Sequence, residues 1–120
     1  MIGIKTPEEI KIMGEGGKIL AYVLFELFKN IKPGVSELEI DRLAEELILK
    51  KGAKPGFKKV RGYKNSICVS TNDVVVHGVP KNYKFKVGDV VGIDCGVFYK
   101  GFHTDMAETL RVSTINNQHL

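Results

Sequence analysis

The stretch Val90-Val91-Gly92-Ile93-Asp94-Cys95-Gly96-Val97-Phe98 is apolar except for one aspartate. A run so rich in Val, Ile and Phe reads as a buried central strand. An isolated carboxylate within it is expensive to desolvate. Tyr99-Lys100-Gly101 supplies turn chemistry, and Phe102 to Val112 reads as a returning strand that carries Asp105. An antiparallel hairpin turning near residues 99–100 sets Asp94 and Asp105 nearly opposite, with Cβ atoms about 5 Å apart. Two carboxylates that close repel unless a proton or a cation lies between them. A divalent metal pair, with ions about 3.5–4 Å apart, fits that spacing. Aspartates also occur at solvated strand ends, a reading that the apolar sequence on both sides of Asp94 weakens.

Length and composition bound the rest. With 120 residues, 43% apolar and 27% charged, the chain reads as one soluble globular domain around a single core. The net charge of +4 is modest. The clusters Lys50-Lys51-Lys54 and Lys58-Lys59-Arg61 read as solvated faces, so specific nucleic-acid binding is not expected. Cys68 and Cys95 have apolar neighbours and no C-x-x-C spacing, the pattern of buried reduced thiols in a cytosolic protein. No signal peptide is visible, and Ile19 to Phe25 is too short to span a bilayer. A cytoplasmic protein without membrane contact is expected.

Two helices open the chain. Thr6-Pro7-Glu8-Glu9 offers an N-cap, a proline at the first helical position and a capping box. Ile10, Met13, Leu20, Leu24 and Leu27 follow on one face. Gly14, Gly16 and Gly17 weaken this helix and let a neighbour approach closely. After the turn Lys32-Pro33-Gly34, a second capping box, Ser36-Glu37-Leu38-Glu39, starts a helix buried through Ile40, Leu43, Ala44, Leu47 and Ile48. Lys50-Lys51-Gly52 closes it. From Ala53 the pattern is strands and turns, with Ser66 to Ser70 and Val74 to His77 flanking a hairpin loop at Thr71-Asn72-Asp73. Lys81-Asn82-Tyr83-Lys84 reads as exposed, and Lys86-Val87-Gly88-Asp89 turns into the Asp94 strand. Helices first and an antiparallel sheet second predict an α+β domain over 1–112, followed by a polar C-terminal tail over 113–120.

In this order, Tyr63 to Asp73, Val75-Val76-His77-Gly78-Val79-Pro80, Gly88 to Asp94 and Gly101-Phe102-His103-Thr104-Asp105 resemble the motifs of type I methionine aminopeptidases. Ile4 to Ile10 and Lys32-Pro33-Gly34-Val35 match as well, so the resemblance covers nearly the whole chain. It implies half of a pita-bread fold, with two helices packed on an antiparallel sheet. It implies Asp94 and Asp105 as metal ligands, with Asp94 chelating one ion and Asp105 bridging two. His77 matches a catalytic histidine that contacts substrate and stabilises the tetrahedral intermediate. Tyr63 and Cys68 match positions lining the pocket for the methionine side chain, although each also reads as a simple core residue. His103, near a turn, reads at least as readily as an exposed residue without a functional part.

The family's cluster also uses a histidine and two glutamates from a second, similar half, and this chain stops where that half would begin. Glu108 and His119 match none of those ligands, and Phe57 and Val60 depart from the usual pocket residues. The implied activity is removal of N-terminal methionine from peptides or proteins, with divalent Mn, Co, Fe, Zn or Mg as cofactor. A half-size chain needs a second half for this, which a homodimer supplies by symmetry. A non-catalytic half-domain that binds metal or another protein is the alternative.

Overall fold

The computed structural model describes residues 5–59, 62–72, 78–113 and the strand pairing of 118–119. His77, and the strand expected over Val74 to His77, lie outside the described residues.

Both capping boxes form, and they set where the helices start. In α1 (Pro7–Asn30), the Glu9 amide donates to the Thr6 hydroxyl at 3.1 Å and the Thr6 amide donates to the Glu9 carboxylate at 2.9 Å. In α2 (Glu37–Lys50), Ser36 and Glu39 exchange the same two bonds at 3.1 Å each. Burial of α1 begins at Gly16 and continues through Leu20, Val23, Leu24, Leu27 and Phe28. Ile10, expected on the buried face, is 59% exposed, because the first turns of the helix precede its buried stretch. Of the three glycines, Gly16 makes the close approach: a Cβ there would sit 3.5 Å from Thr104 Oγ1 and 3.7 Å from Tyr99 Cβ. Gly14 and Gly17 face open space.

The sheet is built on β3 (Val90–Tyr99), which is paired along both edges. One edge meets β1 (Lys54–Pro55) and β2 (Ile67–Thr71), and the other meets β4 (Phe102–Arg111), all antiparallel. Alternation along β3 separates two faces. Val91, Ile93, Cys95 and Val97 join Ile67, Val69, Leu110 and the helix residues Leu20, Leu27, Ile40 and Ile48 in one core. Gly92, Asp94, Gly96 and Phe98 point the other way, beside Thr109, Ala107, Asp105 and His103 of β4. The helices therefore cover one face and leave the aspartates on the opposite one. The short β5 (Gln118–His119) pairs with Leu110 and Arg111, so the segment expected to trail as a polar tail includes an edge strand.

Asp89 locks the entry into β3. Its carboxylate accepts from Asn72 Nδ2 at 3.0 Å, from the Tyr83 hydroxyl at 2.6 Å and from the Lys86 amide at 2.9 Å. Asn72 accepts in turn from the Val90 amide at 3.0 Å, tying the end of β2 to the start of β3. Tyr83, expected to be exposed with its neighbours, is half-buried because its hydroxyl serves this carboxylate.

Burial alone would raise the Asp89 pKa, but the bonds from Asn72, Tyr83 and Lys86 and the Lys86 charge outweigh it and hold it below the ordinary value. The stabilisation is thus present above the usual aspartate pKa of about 3.9 and is lost as pH falls through the lowered folded value. Asp89→Asn should cost about 1–3 kcal/mol at neutral pH. It should also flatten the acid side of a plot of urea midpoint against pH.

Candidate metal and substrate site

The turn between β3 and β4 decides how the two aspartates meet. Lys100 and Gly101 both have positive φ, 47° and 91°, the signature of a two-residue type I′ hairpin turn. With Tyr99 paired to Phe102, Asp94 stands opposite Ala107 and Asp105 stands opposite Gly96. The aspartates are therefore diagonal neighbours on one face, about 7–8 Å apart, rather than directly opposed. The turn is centred one position later than residues 99–100, and that shift moves the register by two.

Asp94 is half-buried and Asp105 exposed, and both line one cavity of about 560 Å³ with Phe57, Tyr63, Cys68, Met106 and Ala107. Four of the sequence-predicted site residues are thereby brought together; the fifth, His77, lies outside the described residues. Cys68 is the cross-strand partner of Asp94. Its thiol donates to the Tyr63 hydroxyl at 3.4 Å, and that hydroxyl donates to the Ile67 carbonyl at 2.6 Å. The Tyr63 ring meets Phe57 edge-on, with centroids 6.1 Å apart. Phe57 in turn lies over Gly96, where a Cβ would come within 2.9 Å of its ring. The wall beside the carboxylates is thus aromatic and tightly seated.

Burial pushes the Cys68 thiol above its ordinary pKa; the bond to Tyr63 opposes this, while the charges of Asp94 and Asp41 add to it. Tyr63 is also raised, first by burial, then by its bond to Cys68 and by the electrostatic influence of Cys68 and Asp41. Both groups are neutral at physiological pH and present an uncharged wall. Cys95 is fully buried behind β3 and is pushed up to about 12 by burial. Both cysteines are free, as expected for reduced thiols.

His103 is exposed, with its ring 4.6 Å from that of Phe98. It shares a second cavity, of about 550 Å³, with Asp105, Phe57, Gly96 and Met13.

Two oxygen-donor side chains on one face suit a hard divalent cation. Among the described residues no hydrogen bond or ion pair engages the side chain of Asp94 or Asp105, so their carboxylate lone pairs are available to one. No third His, Cys, Asp or Glu joins them in a metal-binding group among the described residues. The donor chemistry fits a metal, and these are the two described residues that would hold it.

Sequence reasoning missed Asp41 and Glu37, which hold the segments bordering this site. Asp41 accepts from Asn65 Nδ2 and from the Ser66 and Ile67 amides. Glu37 accepts from the Thr71 hydroxyl at 2.7 Å and the Lys81 amide at 3.0 Å. The signal was their spacing: positions 37, 41, 44 and 48 form one helical stripe, so two acids stand in register with Ala44 and Ile48.

Fold and site together define half of the pita-bread architecture. It superposes on methionine aminopeptidase from Thermotoga maritima with a TM-score of 0.89 and 44% identity, over 95% of this chain and 46% of that one. It also superposes on Xaa-Pro dipeptidase from Bacillus anthracis with a TM-score of 0.80 and 33% identity, over 92% of this chain and 30% of that one. The sequence profile of metallopeptidase family M24 matches residues 11–119, and the chain belongs to that family. Among curated relatives, methionine aminopeptidase of Clostridium perfringens is 46% identical over 98% of this chain and 47% of its own length. Methionine aminopeptidase 1 of Bacillus subtilis is 47% identical over the same shares. The chain spans about half the length of the curated relatives it matches. Membership of a metallopeptidase family implies a divalent metal cofactor. No helix among the described residues is long and apolar enough to cross a membrane.

Gly96→Ala should lower stability by about 1–3 kcal/mol, since the new methyl displaces the Phe57 ring. Adding Phe57→Ala should recover part of that loss, so the two substitutions are less than additive in urea unfolding.

Proposed function

We propose that this chain is the half of a methionine aminopeptidase-like metallohydrolase that carries Asp94 and Asp105 as metal ligands, and that it acts once a second half completes the site. The observation that carries the reading is one cavity holding both carboxylates beside an apolar wall of Phe57, Tyr63 and Cys68. A wall of that chemistry takes an unbranched apolar side chain such as methionine, and the carboxylates of Asp94 and Asp105 would hold the cation. A bound divalent cation supplies Lewis-acid activation of water and of the amide carbonyl. His77 is assigned as the donor to the developing oxyanion.

Substrates are the N-termini of peptides or proteins that begin with methionine followed by a small residue. Carboxylate oxygens suit Mn, Co, Fe, Zn or Mg and discriminate weakly among them. A second copy about a twofold axis is the proposed source of the missing donors, because an isologous interface repeats each ligand. The proposed location is the cytoplasm. The ligand count favours one other reading, a non-catalytic half-domain that binds metal or a partner carrying the remaining ligands.

Methionine release from a Met-Ala-initiated peptide, followed with Mn²⁺ or Co²⁺ over a range of protein concentrations, tests the assignment. Activity should rise faster than linearly with protein and vanish in Asp94→Asn. Equal traces in both proteins would favour the non-catalytic reading, which a melting temperature unmoved by metal would extend to a half-domain that binds no cation.

A further inference from the structure

We infer that Asp41 is the positioning residue of the cavity wall: from inside α2 it fixes Asn65–Ile67, so that Tyr63 and Cys68 are presented beside Asp94. The inference rests on the reading of that cavity as a substrate pocket. Asp41 is only 9% exposed, a position where an acidic side chain must be fully hydrogen-bonded. Its Oδ1 accepts from the Ser66 amide at 2.8 Å and the Ile67 amide at 3.0 Å, and its Oδ2 accepts from Asn65 Nδ2 at 3.0 Å. Three donors thus converge on one buried carboxylate, and charge-assisted bonds of this kind are about twice as strong as neutral ones.

Two of these three bonds serve residues that precede β2, where no sheet partner holds the backbone. Ile67 is the hinge between the two sides of the arrangement. Its amide is held by Asp41, its carbonyl accepts from Tyr63, and the next residue is Cys68. The position of both wall residues is therefore set from the core through one carboxylate. Asp41 touches neither the cavity nor the two aspartates in it, so it acts through the residues it holds.

The two cysteines give a test with an internal control. Cys68 lines the cavity, whereas Cys95 is fully buried on the opposite face of β3. Alkylation by N-ethylmaleimide, resolved by site with mass spectrometry and followed across pH, separates the limiting thiolate rate, which reports local opening at Cys68 against general loosening at Cys95, from the lower thiol pKa that loss of the Asp41 charge brings. Asp41→Ala should speed reaction at Cys68 on the order of tenfold and leave Cys95 unchanged. Asp41→Asn keeps an oxygen for both backbone bonds and, with the Asn65 amide turned over, exchanges a charge-assisted bond for a neutral one, so its effect should be smaller. Adding Asn65→Asp makes that bond charge-assisted again, with donor and acceptor reversed, and should restore the slow rate.

An unchanged Cys68 rate in folded Asp41→Ala would overturn the inference. So would a parallel rise at both cysteines, or a failure of Asn65→Asp to restore the Asp41→Asn rate. If Asp41→Ala does not fold, the Asp41→Asn and Asp41→Asn/Asn65→Asp pair decides the matter. A chain that releases no methionine would count against the proposed function while leaving the alkylation comparison intact.

Discussion

Everything on the open face depends on β3 being paired along both edges. A strand held by β2 on one side and β4 on the other cannot slip without exchanging its faces, because side chains alternate with a period of two. A slip of one residue would put Asp94 among Leu20, Ile40 and Ile48 and expose Ile93 and Cys95. The core thus fixes the carboxylate by exclusion: the apolar residues on either side of Asp94 take the helix-covered face and leave it the other. The turn at Lys100-Gly101 then fixes Asp105 against that frame.

The second constraint comes from α2, whose buried stripe is half acidic. Glu37 and Asp41 are 5% and 9% exposed, yet neither pairs with a cation among the described residues. Their charges are met by backbone amides and the Thr71 hydroxyl, from the two ends of β2 and the loops beside them. Acceptors of this kind hold irregular backbone that cannot be held by a ladder. One helix therefore organises both ends of the strand that carries Cys68, and Asp89 does the same for the connection into β3.

Much of this was legible in the sequence, and the reasons differ by residue. The capping boxes at Thr6 and Ser36 are local devices, complete within four residues, and they form as read. The Asp94 strand was legible because its apolar run has no other stable use. The pairing of Asp94 with Asp105 on one face was also legible, since an offset of two keeps the same face. The register itself was not, because it turns on which residues adopt positive φ, and Lys100 gives no sign of doing so. Ile10 follows the helical period yet lies outside the contact with the sheet, and a period says nothing about where a contact begins. Asp41 was hidden because its partners lie more than twenty residues away, and nothing local to α2 names them.

The open face has a physical logic of its own. A half-buried carboxylate without a protein partner is a standing cost that a cation can offset. Two carboxylates offer few donors, while hard divalent ions take six or more ligands. Both donors gain rigidity from the sheet, since Asp94 is paired on both edges of β3 and Asp105 is paired to β3, and neither is fixed by the other. Among the described residues no third His, Cys, Asp or Glu completes a metal-binding group with them. The same holds for the apolar wall, where Phe57, Tyr63 and Cys68 define one side of a pocket and leave the other to be supplied. The carboxylates and the apolar wall line the same cavity, so one opposing surface would meet both.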